Sequence, residues 1–238
     1  MGGIFIDQLL NAADRGVRVR LLVDDMGLED REFSFAVIDE HPNVEVRIFN
    51  PFGRNISRVF QFVTGFGKQT RRAHNKSFTV DNNATIRGAR NIGNEYFSAD
   101  PEFHFYDLDI LAIGPVVKDA SRSFDQFWNH ELSYPVAKLV EQNPTNDQER
   151  EMTLKLDAFI AEQKDSEYIE QLRNSTLAQA YENKSSKFVW GPGEIVKDDP
   201  RKLTTDVTDD TYHLSQELAP YLREVTRELL IFSPYFIP

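Results

Sequence analysis

HNKSFTVDNNATIRGARN, residues 74–91, decides how the chain is read. Two strand-like runs, roughly 73–80 and 84–90, flank Asp81-Asn82-Asn83, a trio suited to a hairpin turn. On a strand, side chains two residues apart face the same way, so His74 and Lys76 project together. A neutral imidazole beside a fixed cation suits attack on a phosphodiester, because the ammonium screens the anionic oxygens while the ring nitrogen approaches phosphorus. Histidine also titrates near neutrality, so His74 can serve as nucleophile or proton donor. Asn91, just past the second strand, offers an amide to a phosphate oxygen. Gly88 keeps the hairpin face open for close approach. Asp81 has two readings at the turn: a carboxylate that shapes the loop, or one that supports the site.

Working outward, Ile6, Leu9, Leu10 and Ala13 have helical spacing, with a stop at Arg15-Gly16. VRVRLLVDD (17–25) reads as a strand ending in acids, 31–40 as a helix and VEVRIF (44–49) as a second strand. This β-α-β order suits parallel pairing. After the hairpin, FYDLDILAI (105–113) reads as a strand. An amphipathic helix over 117–131 follows, turning Val117, Ala120, Phe124, Phe127 and Trp128 inward. Residues 138–182 are charged and mainly helical. Then come SKFVWG (186–191), a polar loop (192–210) whose acidic part reads as solvated, a helix near 212–226 and an apolar strand, ELLIFSPYFIP. The chain opens on a helix that feeds a parallel-type strand and closes on an apolar strand. Edge strands at both ends are one reading; a piece of a longer β-α protein is the other.

The chain has 238 residues, enough for a sizeable core, and a formal net charge of -11. It contains no Cys, which excludes disulfides and thiolate metal sites. No apolar run is long enough to span a bilayer, and the opening residues lack the basic region and unbroken apolar core of a signal peptide. Against the acidic total, residues 49–76 carry six Arg or Lys and no acid. Phe49, Phe52, Phe60, Phe62 and Phe66 lie among Arg54, Arg58, Lys68, Arg71 and Arg72. This mixture suits an anionic bilayer surface, while phenylalanines packed inward under solvated charges fit equally well. The acidic balance argues against a general nucleic-acid coat.

His74, Lys76 and Asp81 fit H-x-K-x4-D, and Gly88-Ala-Arg-Asn91 fits G-x-x-N. With RGVRVRLLVDDMG (15–27), FYDLDILAIGPVV (105–117) and FDQFWNHELSYPV (124–136), the chain resembles the bacterial cardiolipin synthase branch of the phospholipase D superfamily, in particular its cardiolipin synthase C-like members. The resemblance implies an α/β fold: a first lobe (1–137, lacking its first strand), a helical connector (138–185) and the start of a second lobe (186–238). It implies transfer of a phosphatidyl group to phosphatidylglycerol through a phosphohistidine, with His74 as nucleophile or acid/base. Lys76, Gly88 and Asn91 would form the phosphate site and Asp81 a support, with no cofactor or metal. In that family two such motifs make one site, whereas His41, His104, His130 and His213 all lack a lysine two residues on. The partner motif is therefore expected from a second chain or a missing second lobe, and activity of this single-motif chain is doubtful. Ala89 stands where many members carry a hydroxyl. A phospholipase D-type hydrolase of phospholipid or nucleic acid, and a non-catalytic fragment binding membrane or phosphate, remain as alternatives. The expected location is peripheral on the bacterial cytoplasmic membrane, or cytoplasmic.

Overall fold

A computed structural model describes residues 1–28, 31–53, 72–97, 99–100, 102, 105–206 and 208–231. Most of the basic aromatic segment, from Arg54 through Arg71, lies outside the described residues, as does His104. The described part is α/β and holds two three-stranded sheets.

The first sheet grows from the β-α-β run. Helix α1 (Gly2–Asp14) leads into β1 (Val19–Asp24); α2 (Glu32–Asp39) follows, then β2 (Val44–Phe49). β1 and β2 pair in parallel from Val19↔Val44 to Asp24↔Phe49. Alternation sorts their side chains. Val19, Leu21 and Val23 of β1 and Val44, Val46 and Ile48 of β2 join Ala13, Ala36 and Val136 in one apolar cluster. The other face carries Arg20, Leu22, Arg47 and Phe49. It receives helix α3 (Val116–Trp128), where Arg20 lies over Phe124 at 4.9 Å and Arg47 over Trp128 at 4.5 Å. These guanidiniums hold aromatic rings against a face that alternation alone would leave polar. A short strand, β6 (Ser133–Pro135), closes this mixed sheet by pairing antiparallel with β2. At three residues ending in proline it is too short to show a period in the sequence.

The second sheet is wholly antiparallel: β3 (Lys76–Val80), β4 (Ala84–Gly88) and β5 (Asp109–Ile113). The hairpin turn falls at 81–83, with Asp81 and Asn82 both left-handed at φ 51° and 54°. Asp and Asn tolerate that region better than other non-glycine residues, which explains the local sequence. Ser121 of α3 donates to Asn82 Oδ1 at 2.5 Å and ties the turn to the helix.

Helices α4 (Asn146–Gln163), α5 (Glu167–Arg173) and α6 (Thr176–Glu182) occupy the charged region and start on Thr145, Ser166 and Ser175 caps. None buries a residue fully. Helix α4 meets α1 where Gly3 leaves room for the ring of Phe159. Helix α7 spans Leu214–Arg223.

Two expectations change. The acidic loop is not solvated throughout: Asp199 caps a short 3-10 turn (Pro200–Leu203), and Pro200, Lys202 and Leu203 are buried. Leu203 enters a cluster with Phe49 and Phe127, which draws the flanking polar residues in with it. Residues 228–231 form no strand, and Leu230 and Ile231 are largely exposed; the rest of the expected strand lies outside the described residues. Among the described residues, no helix is long and apolar enough to cross a membrane.

Candidate active site

The approach to His74 is fixed from β1. Asp24, the last residue of that strand, accepts from Met26 N at 2.9 Å, from Arg72 Nε at 2.8 Å and from Ala73 N at 3.2 Å. Arg72 is buried under Phe52, with its guanidinium carbon 4.7 Å from the ring centroid, and also donates to the Asn50 carbonyl at 3.0 Å. Asp25 is fully buried and accepts from Phe52 N at 2.7 Å. A buried guanidinium needs such pairing to be tolerated. Asp24 therefore anchors the chain immediately before His74, while Asp25 fixes the backbone of Phe52, whose ring covers Arg72.

His74 itself is exposed and Lys76 half-buried. Even so, enough protein crowds the ring for partial burial, followed by Lys76 and Lys202, to push the imidazole below its ordinary pKa; Asp24 and Asp198 oppose the shift. Burial likewise lowers the Lys76 ammonium, against the pull of Asp24 and Asp107. A histidine in this setting stays neutral at physiological pH with a nitrogen lone pair available.

The register of the second sheet puts Lys76 opposite Gly88 and Gly88 opposite Asp109. A Cβ at Gly88 would collide with the Asp109 carboxylate and come within 2.9 Å of the Leu108 carbonyl. What approaches this glycine so closely is thus the neighbouring strand. Asp109 pairs with Arg90 Nε at 2.8 Å. Arg90 also donates to the carbonyls of Tyr96 at 2.8 Å and Asp107 at 3.1 Å. This arginine shapes the loop that carries Asn91, whose amide donates to the Tyr96 hydroxyl at 3.0 Å. Asn91 is exposed. Asp81 sits at the far end of β3 from Lys76, exposed in the turn, a separation of about 17 Å at the rise of an extended strand.

The structure brings His74, Lys76 and Gly88 to one end of the sheet, with Asp24, Arg72, Asp198 and Lys202 around them. The last four went unmarked as site residues by sequence reading. The acids ending VRVRLLVDD were a signal for Asp24; nothing local ties residues 198–202 to His74. Among the described residues no three His, Asp or Glu side chains are grouped as a metal site.

Comparison with known proteins adds to this geometry. The family model described as "Cardiolipin synthase, PLD-like domain" matches residues 3–128. Over its full length the chain is 34% identical to cardiolipin synthase C of Escherichia coli, of which it covers 50%. It is 33% identical to an uncharacterized protein of Helicobacter pylori, covering 46% of it. A cardiolipin synthase of Oceanobacillus iheyensis is 28% identical over 54% of the chain and 25% of that protein. The chain spans about half the length of the first two. The match covers the β-α-β run, the hairpin and α3 together, and this chain belongs to the cardiolipin synthase, phospholipase D-like family.

Proposed function

We propose that the chain supplies one phosphoryl-handling motif of a phosphatidyltransferase, acting on phosphatidylglycerol or a related anionic phospholipid. The observation that carries this is the placement of His74 just before Lys76 at one end of a sheet, where burial and the nearby lysines lower the imidazole pKa. As nucleophile, His74 forms a bond from a ring nitrogen to phosphorus while the bond from phosphorus to the departing alcohol oxygen breaks. The alcohol leaves with a proton from a second acid. The hydroxyl of phosphatidylglycerol then attacks the phosphohistidine, gives up its proton to that group's conjugate base and releases the imidazole. Lys76 lowers the cost of the negative charge on the phosphoryl oxygens, and Asn91 turns an amide to one of them. As acid/base, His74 performs the two proton transfers for a nucleophile supplied from elsewhere.

The sequence carries one H-x-K-x4-D motif, so the partner group comes from a second chain or a second lobe. In this reading residues 1–137 form the first lobe, 138–185 the connector and 186–238 the opening of a second lobe. Membrane association is part of the proposal because the substrate is a bilayer lipid.

The test is incubation of the purified chain with phosphatidylglycerol vesicles over a wide protein range, following cardiolipin and released glycerol, with His74→Ala alongside. Product that rises more steeply than protein concentration and disappears with His74→Ala is the expected result for chains pooling single motifs. Turnover that survives His74→Ala removes the reading.

A further inference from the structure

The second sheet has an apolar strand where an edge is ordinarily charged or covered. β5 lies outermost in the order β3-β4-β5. Ile110 is 61% exposed and Leu111 48%. Successive strand residues face opposite ways, so both faces of this edge are apolar and open. On one face Leu111 continues across the register to Ile86 and Phe78, which are exposed as well. The strip also runs on before the strand: Leu108 is 77% exposed and Tyr106 89%. A docked protein covers one face of a strand, whereas a fluid hydrocarbon phase wets both. The two-sided exposure therefore favours a lipid occupant.

Position and charge agree with that choice. Leu108 adjoins Asp109, which stands opposite Gly88, which stands opposite Lys76. Two strand spacings put Lys76 about 10 Å from the edge. Apolar side chains of an interfacial protein enter a bilayer by about 5–10 Å. A sheet standing edge-on, with β5 inserted, would hold Lys76 at the depth of the lipid phosphates. Arg87 is directly opposite Ile110, half-buried, and forms no ion pair among the described residues. A long apolar stem ending in an uncommitted guanidinium suits a headgroup phosphate. Asp109 is already neutralised by Arg90. The net charge of -11 opposes an anionic surface, so apolar insertion supplies most of the attraction and Arg87 a local part.

We propose that β5 and its lead-in, residues 105–111, enter an anionic phospholipid bilayer edge-on, with Arg87 on a lipid phosphate. This inference rests on the phosphatidylglycerol reading of the His74 site.

The test uses the full 238-residue chain and vesicles of phosphatidylcholine with or without phosphatidylglycerol, with binding read by flotation. Leu108→Ser combined with Ile110→Ser is expected to weaken partitioning about tenfold. Arg87→Gln weakens it about fivefold, and only where phosphatidylglycerol is present. Because the chain has no Cys, Leu108→Cys carries a single fluorophore. Its emission is expected to shift to the blue on vesicles and to be quenched by brominated acyl chains. The same label at Leu177→Cys, on α6 and similarly exposed, stays unquenched. Unchanged partitioning of the double variant, or no quenching at position 108, overturns the proposal. A double variant that turns a dimer into a monomer in sedimentation velocity while still binding vesicles gives the edge to a second copy, and overturns it too. If the double variant does not fold, the labelled Leu108→Cys chain decides. Short-chain phosphatidylglycerol below its micellar concentration separates the two readings. His74-dependent turnover of that lipid by a chain that does not bind vesicles rejects this inference alone. Vesicle binding lost in the double variant, with short-chain turnover that survives His74→Ala, bears out the edge and rejects the transferase reading alone.

Discussion

At His74, burial and two lysines favour the neutral imidazole, and this has consequences for both activity and stability. With the folded-state pKa below the ordinary value of about 6.5, the unfolded chain takes up this proton first as pH falls. The stability linked to this group is therefore complete above about pH 6.5 and is lost as pH drops through the window between the two values. An NMR titration is expected to show a His74 midpoint below 6.5, and the phosphatidyl transfer proposed above is expected to have its acid limb in that same range. Lys76→Met should move the midpoint upward; a midpoint at or above 6.5 in the unsubstituted protein would contradict the electrostatic account. Gly88 makes a separate test. Gly88→Ala drives a methyl into Asp109 and the Leu108 carbonyl, so the neighbouring strand must shift. The expected cost is about 1–3 kcal/mol in urea denaturation, with loss of the Arg90–Asp109 pair.

Among the elements, the end of β1 has more to do than complete a strand. Asp24 holds the buried Arg72 and the amide of Ala73, and so sets where β3 begins. Asp24→Asn leaves a buried guanidinium without its counter-charge and is expected to destabilise by about 3–5 kcal/mol. It should also lower the His74 pKa, because Asp24 is one of the groups that raise it. Thermal unfolding and the NMR titration read the two effects separately. The elements themselves were largely legible in the sequence. The alternation in VRVRLLVDD and VEVRIF, the DNN turn and the apolar spacing of α3 each report a local physical preference that the tertiary structure keeps. β6 was not legible, since three residues carry no period. The role of residues 198–203 was missed for a different reason: their composition is that of a loop, and only the burial of Leu203 against Phe49 and Phe127 turns them inward. At the site, the strand expected over 73–80 begins only at Lys76, so His74 lies just before β3 and strand alternation does not by itself set its direction; the contact of Asn75 with Asp198 depends on chain folding across 123 residues.

For the molecule as a whole, stability is unevenly distributed. The fully buried side chains concentrate in the parallel pair, its flanking helices and the Phe49 cluster, while α4, α5 and α6 bury none. In the stretch after α6, Val189 is wholly open to solvent and Trp190 is 75% exposed. Local opening free energies should follow that gradient. Amide hydrogen exchange is expected to be fastest over residues 184–196, slower in α5 and α6, and slowest in β1 and β2. Exchange in α5 as slow as in β1 would show that the helical region is held by contacts beyond those described.

The hairpin register imposes a parity rule on how such a chain can vary. Lys76 shares a face with Gly88 and Asp109 because the three are directly opposite one another across the sheet, a register counted from Val80 and Ala84 at the mouth of the turn. Adding one residue to β3 while keeping the turn would rotate the lysine to the opposite face. Adding two would preserve the face and only lengthen the strand. Insertions are therefore tolerable at 81–83, where a loop absorbs them, but inside β3 they are compatible with the site only in pairs.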